Sequence, residues 1–229
     1  MFKLISDLFF PLLCQACEKV LGDNEIVICT TCRHHLPIVP ARIKASDLQI
    51  EFLEGVQIKT FFALFYFKKS SLVQKLLHNL KYNNQEIIGT VLGEWLGAQL
   101  KGHSSYQYVD KVLPVPLHSK RLRQRGYNQV MAFAKAIALA LNYSCDETVL
   151  KKVQNTKTQV FQSKSDRWKS VQHSFELTNP EVVFRKNILL VDDIITTGAT
   201  LNACAKVLLE ARPKSISVVC IAIPATVFR

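Results

Sequence analysis

The segment Ile188-Leu-Leu-Val-Asp-Asp-Ile-Ile-Thr-Thr-Gly-Ala-Thr200 constrains this chain more than any other stretch. Its four leading apolar residues read as a buried strand of a parallel sheet. Asp192 and Asp193 stand at the C-terminal end of that strand, where open α/β sheets place their ligands. The turn Thr196-Thr197-Gly198-Ala199-Thr200 then feeds a helix. Hydroxyls, backbone N–H groups and the positive helix end converge there as a phosphate cradle. Gly198 lets the backbone turn tightly and approach an oxygen closely. Ionised carboxylates accept hydrogen bonds and suit ribose hydroxyls or the shell of an Mg²⁺ ion. Acids and cradle on one strand end describe a site for ribose 5-phosphate. A buried strand followed by a capped helix would account for Ile188–Val191 and one threonine, but not for two adjacent acids. A P-loop would need Gly-x-x-x-x-Gly-Lys-Ser/Thr, which none of the eight glycines supplies. A receiver-type Asp pair does not call for the hydroxyl-rich turn.

The rest of the chain fits a sheet of this kind. Thr60–Phe67, Val109–Pro116, Asn187–Asp192 and Ser215–Ile223 read as strands, with a short one within Glu147–Val153. Ser71–Lys81, Gln85–Lys101, Tyr127–Leu141 and Ala199–Ala211 read as helices. Strands alternate with helices from residue 109 onward, which implies a parallel sheet with right-handed crossovers. Gly89, Gly93 and Gly97 recur every fourth residue, near one helical face, and let another backbone come close. Gln154–Ser170 is polar, basic and without period, and is expected to be a long loop. With 48% apolar residues the chain can build a core, and no 18-residue apolar run suggests a membrane span. Asp7 and Pro11 interrupt the apolar N-terminus, which is expected to be a short amphipathic helix rather than an export signal.

The net charge of +11 is concentrated. Asp110–Lys169 holds 12 Lys/Arg against 4 Asp/Glu, a surplus of +8, which points to an acidic partner. Within it, Val112-Leu-Pro-Val-Pro-Leu-His-Ser-Lys-Arg-Leu-Arg-Gln-Arg-Gly-Tyr-Asn-Gln129 reads as a strand, a basic loop and a helix start. Lys120, Arg121, Arg123 and Arg125 are too dense for one helix face, so some are expected in a loop, where guanidinium groups can clamp phosphate oxygens. His118 lies nearby, but a lone histidine is more often structural, and no general base stands out. Cys14-Gln-Ala-Cys17 and Cys29-Thr-Thr-Cys32 supply four thiolates, the donor set of a tetrahedral structural Zn²⁺. His34 and His35 are possible but unnecessary substitutes. Cys145, Cys204 and Cys220 read as core residues, and the pattern suits a reducing cytoplasm. Pro37 and Pro40 suggest a boundary, with a zinc module over 1–40 and an α/β domain over 41–229.

All 13 residues of Ile188–Thr200 resemble the phosphoribosyl pyrophosphate signature of type I phosphoribosyltransferases. The resemblance implies that fold: a parallel sheet flanked by helices, behind the small four-cysteine module. It implies ribose-hydroxyl contacts for Asp192 and Asp193, a 5-phosphate site at Thr196, Thr197, Gly198, Ala199 and Thr200, and Mg²⁺ accompanying the pyrophosphate. Over nearly the whole chain, the cysteine pairs, Pro-Val-Pro-Leu, Arg-Gly-Tyr-Asn-Gln, Thr158-Gln159 and Arg167 resemble the ComF (ComFC/GntX-like) competence family. Residues 42–108 then occupy the position of an acceptor-binding hood. Ser170 departs from the asparagine that the family usually carries three residues after the arginine, which weakens the assignment of loop contacts.

Two functions follow as expectations. One is a cytoplasmic competence protein that binds incoming single-stranded DNA and assists its import, together with other DNA-import proteins. Lys120, Arg121, Arg123, Arg125 and Arg167, with Lys164 and Lys169, would meet pyrophosphate or DNA phosphates, and Tyr127 and Trp168 would stack on bases. The other is an active phosphoribosyltransferase acting on an unknown base or nucleotide-related acceptor.

Overall fold

The computed structural model describes residues 11–40, 56–154 and 174–227. Its centre is a five-stranded, all-parallel sheet of β1 (Ile58–Phe67), β2 (Lys111–Pro114), β3 (Ser144–Cys145), β6 (Asn187–Ile194) and β7 (Ser215–Pro224), in the order β1-β7-β6-β2-β3. A separate antiparallel pair joins β4 (Leu150–Lys152) to β5 (Phe175–Leu177). The expected loop Gln154–Ser170 leaves from this pair, and nearly all of it lies outside the described residues.

The continuous apolar runs have a packing reason: the sheet is covered on both faces. Leu189 and Val191 of β6, with Val219 and Ile221 of β7, belong to one hydrophobic cluster. Ile188 and Leu190, with Ile216, Val218 and Cys220, belong to the other. The first face carries α2 (Leu72–Tyr82), α3 (Glu86–Lys101) and α5 (Gln129–Leu141); the second carries α7 (Ala199–Glu210). A short α6 spans Pro180–Val183.

The glycine stripe acts as spacing suggested. A Cβ at Gly93 would sit 2.5 Å from the Phe133 carbonyl oxygen and 2.7 Å from the Ala136 Cβ, both on α5. A Cβ at Gly97 would sit 2.5 Å from the Ala140 Cβ. Glycine is therefore what lets α3 and α5 cross in near backbone contact.

The basic run is not a loop. Ser119–Arg125 forms a seven-residue helix, α4, with no buried residue. The His118 side chain accepts from Lys120 N at its start, and Gly126 closes it in the left-handed conformation at φ +86°. Lys, Arg, Leu and Gln are strong helix formers, and a helix that buries none of its residues has no need to gather its charges on one face. Tyr127 corrects a second expectation: it is buried, and its hydroxyl donates to the Leu80 carbonyl, so no base can stack on it.

The N-terminal segment packs on the sheet-covering helices. A short α1 (Thr30–His35) carries Cys32, and Arg33 lies over Trp95 of α3 at 4.8 Å. Asn79 of α2 donates to the Gln15 carbonyl at 2.9 Å. Residues 37–39 run antiparallel along β1, with Val39 N bonding Leu64 O and Tyr66 N bonding Pro37 O. Of the hood-like region 42–108, the described part includes β1, which joins the central sheet, and α2 and α3, packed against it. The expected N-terminal amphipathic helix falls largely on residues 1–10, outside the described residues. Among the described residues no helix is long and apolar enough to cross a membrane.

Candidate functional site

Strand order places the site. The connection after β2 leads outward to β3, while that after β6 leads the other way to β7. The ends of β2 and β6 therefore flank a topological switch point, where parallel sheets open a crevice. Asp192 and Asp193 end β6 inside that crevice, both buried. The chain turns at Gly198, with φ +71°, and starts α7 at Ala199.

The crevice is a cleft of about 640 Å³, lined by Asp192, Asp193 and Thr200 from this segment. Thr196, Thr197, Gly198 and Ala199 form the adjoining turn, in which Asn202 N donates to the Gly198 carbonyl. Facing the acids are four cations: Lys81 from the last turn of α2, Arg121 and Arg125 from α4, and Lys152 from β4. Lys81 Nζ lies 2.9 Å from Asp193 Oδ2, and Gln129 Nε2 donates to the same oxygen at 2.8 Å. Arg125 in turn donates to Gln129 Oε1. Asp192 Oδ1 accepts from the Asp193 backbone N–H at 2.8 Å.

Burial pushes the Asp192 carboxyl up to about 7, and the neighbouring Asp193 charge adds to the rise. The Asp193 N–H, Lys81 and Lys152 oppose it without cancelling it. Burial lowers Lys152 below the ordinary lysine value, although the Asp192 charge works against that. The cleft thus offers paired carboxylates, able to accept from vicinal hydroxyls or a hydrated cation, beside a wall of cations suited to phosphate.

Not every expected residue reaches the cleft. Arg121 and Arg125 line it; Lys120 and Arg123 are exposed and do not. Arg167, with Thr158, Gln159, Lys164, Trp168 and Lys169, lies outside the described residues. His118 has the structural role of capping α4. Lys81, Lys152 and the bridging role of Gln129 escaped the sequence reading. Lys81 and Lys152 stand 112 and 41 positions before Asp193; each is an ordinary lysine in its own element, and only the tertiary fold brings it to the acids.

The four N-terminal cysteines come together. Their sulfurs all lie within 4.8 Å of one another, with Cys17 and Cys29 at 3.7 Å, and they could hold a metal ion. These separations are far beyond a disulfide bond. A tetrahedral thiolate site with metal–sulfur bonds of about 2.3 Å needs sulfurs roughly 3.8 Å apart, so the arrangement fits Zn²⁺. Backbone amides support the thiolates: Cys29 N donates to Cys14 Sγ and Cys32 N to Cys29 Sγ. Burial works against ionisation of Cys14, but amide hydrogen bonds from Cys29, Ala16 and Cys17 outweigh it and hold the thiol at about 7. His34 and His35 are not part of the cluster. Cys204 and Cys220 are buried in the core, where burial pushes both thiols up, and Cys145 is half-buried.

Residues 131–225 match the model of the phosphoribosyl transferase domain. Competence protein F of Haemophilus influenzae is 31% identical over 148 residues, which are 62% of this chain and 64% of that protein. Competence protein ComFC of Streptococcus pneumoniae is 26% identical over 212 residues, 89% of this chain and 84% of that one. The chain is thus similar to competence proteins of the ComF type. Another relative, the DNA utilization protein YhgH of Escherichia coli O157:H7, is 28% identical over 149 residues, 64% of this chain. The match spans 65% of that protein's length. Among solved structures, the glutamine phosphoribosylpyrophosphate amidotransferase of B. subtilis is similar with a TM-score of 0.42 at 20% identity, covering 62% of this chain and 30% of that one.

Proposed function

We propose that this chain, like the competence proteins it resembles, aids the uptake or cytoplasmic handling of transforming single-stranded DNA, using a fold that binds phosphoribosyl pyrophosphate. The observation that carries the reading is the cleft beyond β6, where two buried carboxylates face Lys81, Arg121, Arg125 and Lys152. A sugar phosphate presents the complementary groups: hydroxyls for the acids and phosphate oxygens for the cations. The names of the curated relatives, competence and DNA utilization, support the biological setting.

In this reading Asp192 and Asp193 accept from the ribose hydroxyls, and Thr196–Thr200 hold the 5-phosphate. Arg121 and Arg125 meet pyrophosphate or a DNA phosphate in the cleft, while Lys120, Arg123 and Arg167 extend the cationic track. Mg²⁺, when bound with the ligand, would neutralise pyrophosphate charge. Cys14, Cys17, Cys29 and Cys32 hold one Zn²⁺ that staples the 1–40 module; four thiolates leave it no open position, so its role is structural.

Two titrations test the proposal. Calorimetry with phosphoribosyl pyrophosphate and Mg²⁺ is expected to give binding that Asp192→Ala/Asp193→Ala abolishes; equal heats would misplace the site. A labelled oligonucleotide titrated at several salt concentrations is expected to show a log–log slope of about −4 for six phosphate contacts at roughly −0.7 each. Reversal of Arg121 and Arg123 to Glu should flatten that slope, and an unchanged slope would remove the DNA track.

A second reading, an active phosphoribosyltransferase, is favoured by one observation. Asp192 is held near neutrality beside the proposed ribose, where a carboxyl can exchange a proton with a reacting group. Pyrophosphate release that depends on an added base or nucleotide acceptor would support it.

A further inference from the structure

Lys81 and Tyr82 are consecutive, yet they serve the cleft in opposite ways. Lys81 turns inward to Asp193, while Tyr82 is 66% exposed although it lines the same cleft. A single exposed tyrosine is ordinary; what sets this one apart is that it lines a charged cleft and is held there. The ring is also held in place. The Arg125 guanidinium lies over it at 5.2 Å, and the His78 ring, one helical turn earlier, lies at 5.0 Å. Arg125 bonds Gln129, which bonds Asp193. An exposed ring is thus tied by three successive contacts to the carboxylate assigned to the ribose.

We propose that Tyr82, oriented by Arg125 and His78, is the stacking platform for a nucleobase whose sugar and phosphate occupy the cleft. This rests on the reading of the cleft as a ribose-phosphate site and names its substrate class: a nucleotide unit carrying its base, within a strand or free. Phosphoribosyl pyrophosphate carries no base and would leave the platform empty. A π-face receives any of the bases, so the contact adds affinity with little sequence preference. Because the ring is already restrained by two neighbours, stacking on it costs little further side-chain entropy. Arg125 contributes at both ends, flanking the base and facing the phosphate, as guanidinium groups do at nucleic-acid sites. The platform replaces Tyr127, which the fold buries.

The test compares a labelled oligothymidylate with an abasic deoxyribose-phosphate strand of the same length and charge. Wild type is expected to prefer the oligothymidylate. Tyr82→Ala should lose roughly 5- to 150-fold for it, the equivalent of ~1–3 kcal/mol per stacked base, and nothing for the abasic strand. Tyr82→Trp should restore the affinity, and its indole fluorescence, corrected for the quenching of Trp95 and Trp168 in wild type, should be quenched by oligothymidylate but not by the abasic strand or by pyrophosphate. Quenching by thymidine 5′-monophosphate as well would mark a site that takes free nucleotides. Equal loss on both strands, or no loss on either, overturns the platform while leaving the DNA role standing. If wild type binds neither strand, the DNA role fails by itself. The indole then decides the platform alone: quenching by thymidine 5′-monophosphate supports it, and an unchanged spectrum overturns it.

Discussion

Replacing Lys81 with Met tests the electrostatic logic of the cleft most directly. The Lys81–Asp193 contact is 2.9 Å long, between side chains only 21% and 6% exposed. Removing one partner of a buried pair costs about 3–5 kcal/mol, because the other charge is left uncompensated. Lys81 keeps some water contact and Gln129 still donates to Asp193, so about 2–3 kcal/mol is expected. The loss should depend on pH in one direction. Burial holds the Asp192 carboxyl at about 7 even though Lys81 pulls it down, so removal of Lys81 sends that carboxyl higher. A carboxyl raised in the folded state contributes stability that is fully present below its unfolded value and is lost as pH rises through its folded value. The deficit of Lys81→Met against wild type is therefore largest above neutrality and shrinks as protonation relieves the acid pair. For a chain of this size, thermal unfolding should show a fall of about 5–10 °C near pH 8 and markedly less near pH 5.5. Comparing the two proteins at each pH cancels any contribution of the cysteine cluster. Lys81→Arg should recover most of the loss. A deficit that is constant with pH, or larger in acid, would refute the reasoning.

Other outcomes follow from the same structure. Asp192→Asn removes the cost of ionising a buried carboxylate while its amide oxygen can still accept from Asp193 N, so it should raise the melting temperature near pH 8, not near pH 5, while abolishing ligand binding. Gly93→Ala should destabilise by ~1–3 kcal/mol in a denaturant titration, because its Cβ would meet the Phe133 carbonyl at 2.5 Å and outweigh the ~1 kcal/mol gain in helix propensity. Elemental analysis of chelator-free protein should find about one zinc per chain, and Cys32→Ser should lose it; less than about a tenth of an equivalent in wild type would sink the site.

The parts legible in the sequence are those whose signal is local. β6 and β7 declare themselves as apolar runs because both faces of the sheet are covered, and the acid pair stands out because nothing structural requires it. The glycines of α3 show their spacing, and the contact with Phe133, Ala136 and Ala140 is what that spacing permits. What escaped depends on distance along the chain. Lys81 and Lys152 carry no motif, and Tyr82 matters only because α4 carries Arg125 to it. Tyr127 sits among basic residues in the sequence, yet its hydroxyl finds the Leu80 carbonyl 47 positions away. Charge density suggested a loop where α4 is a solvated helix, since such a helix obeys propensity and capping without any periodic pattern.

Residues 37–39 have a consequence beyond joining two parts of the chain. They occupy part of the outer hydrogen-bonding edge of β1, whose stretch Thr60-Phe-Phe-Ala-Leu-Phe-Tyr-Phe67 is apolar, aromatic and free of charge. An open strand of that composition is a template for pairing with a second molecule. The strap begins two residues after α1, the helix that carries Cys32, so the fold of the four-cysteine cluster anchors it. If the cysteines hold the proposed zinc, stripping it should do more than loosen a small module: it should free the strap, bare the edge and promote self-association through β1, read as a rise in hydrodynamic size over the metal-bound protein.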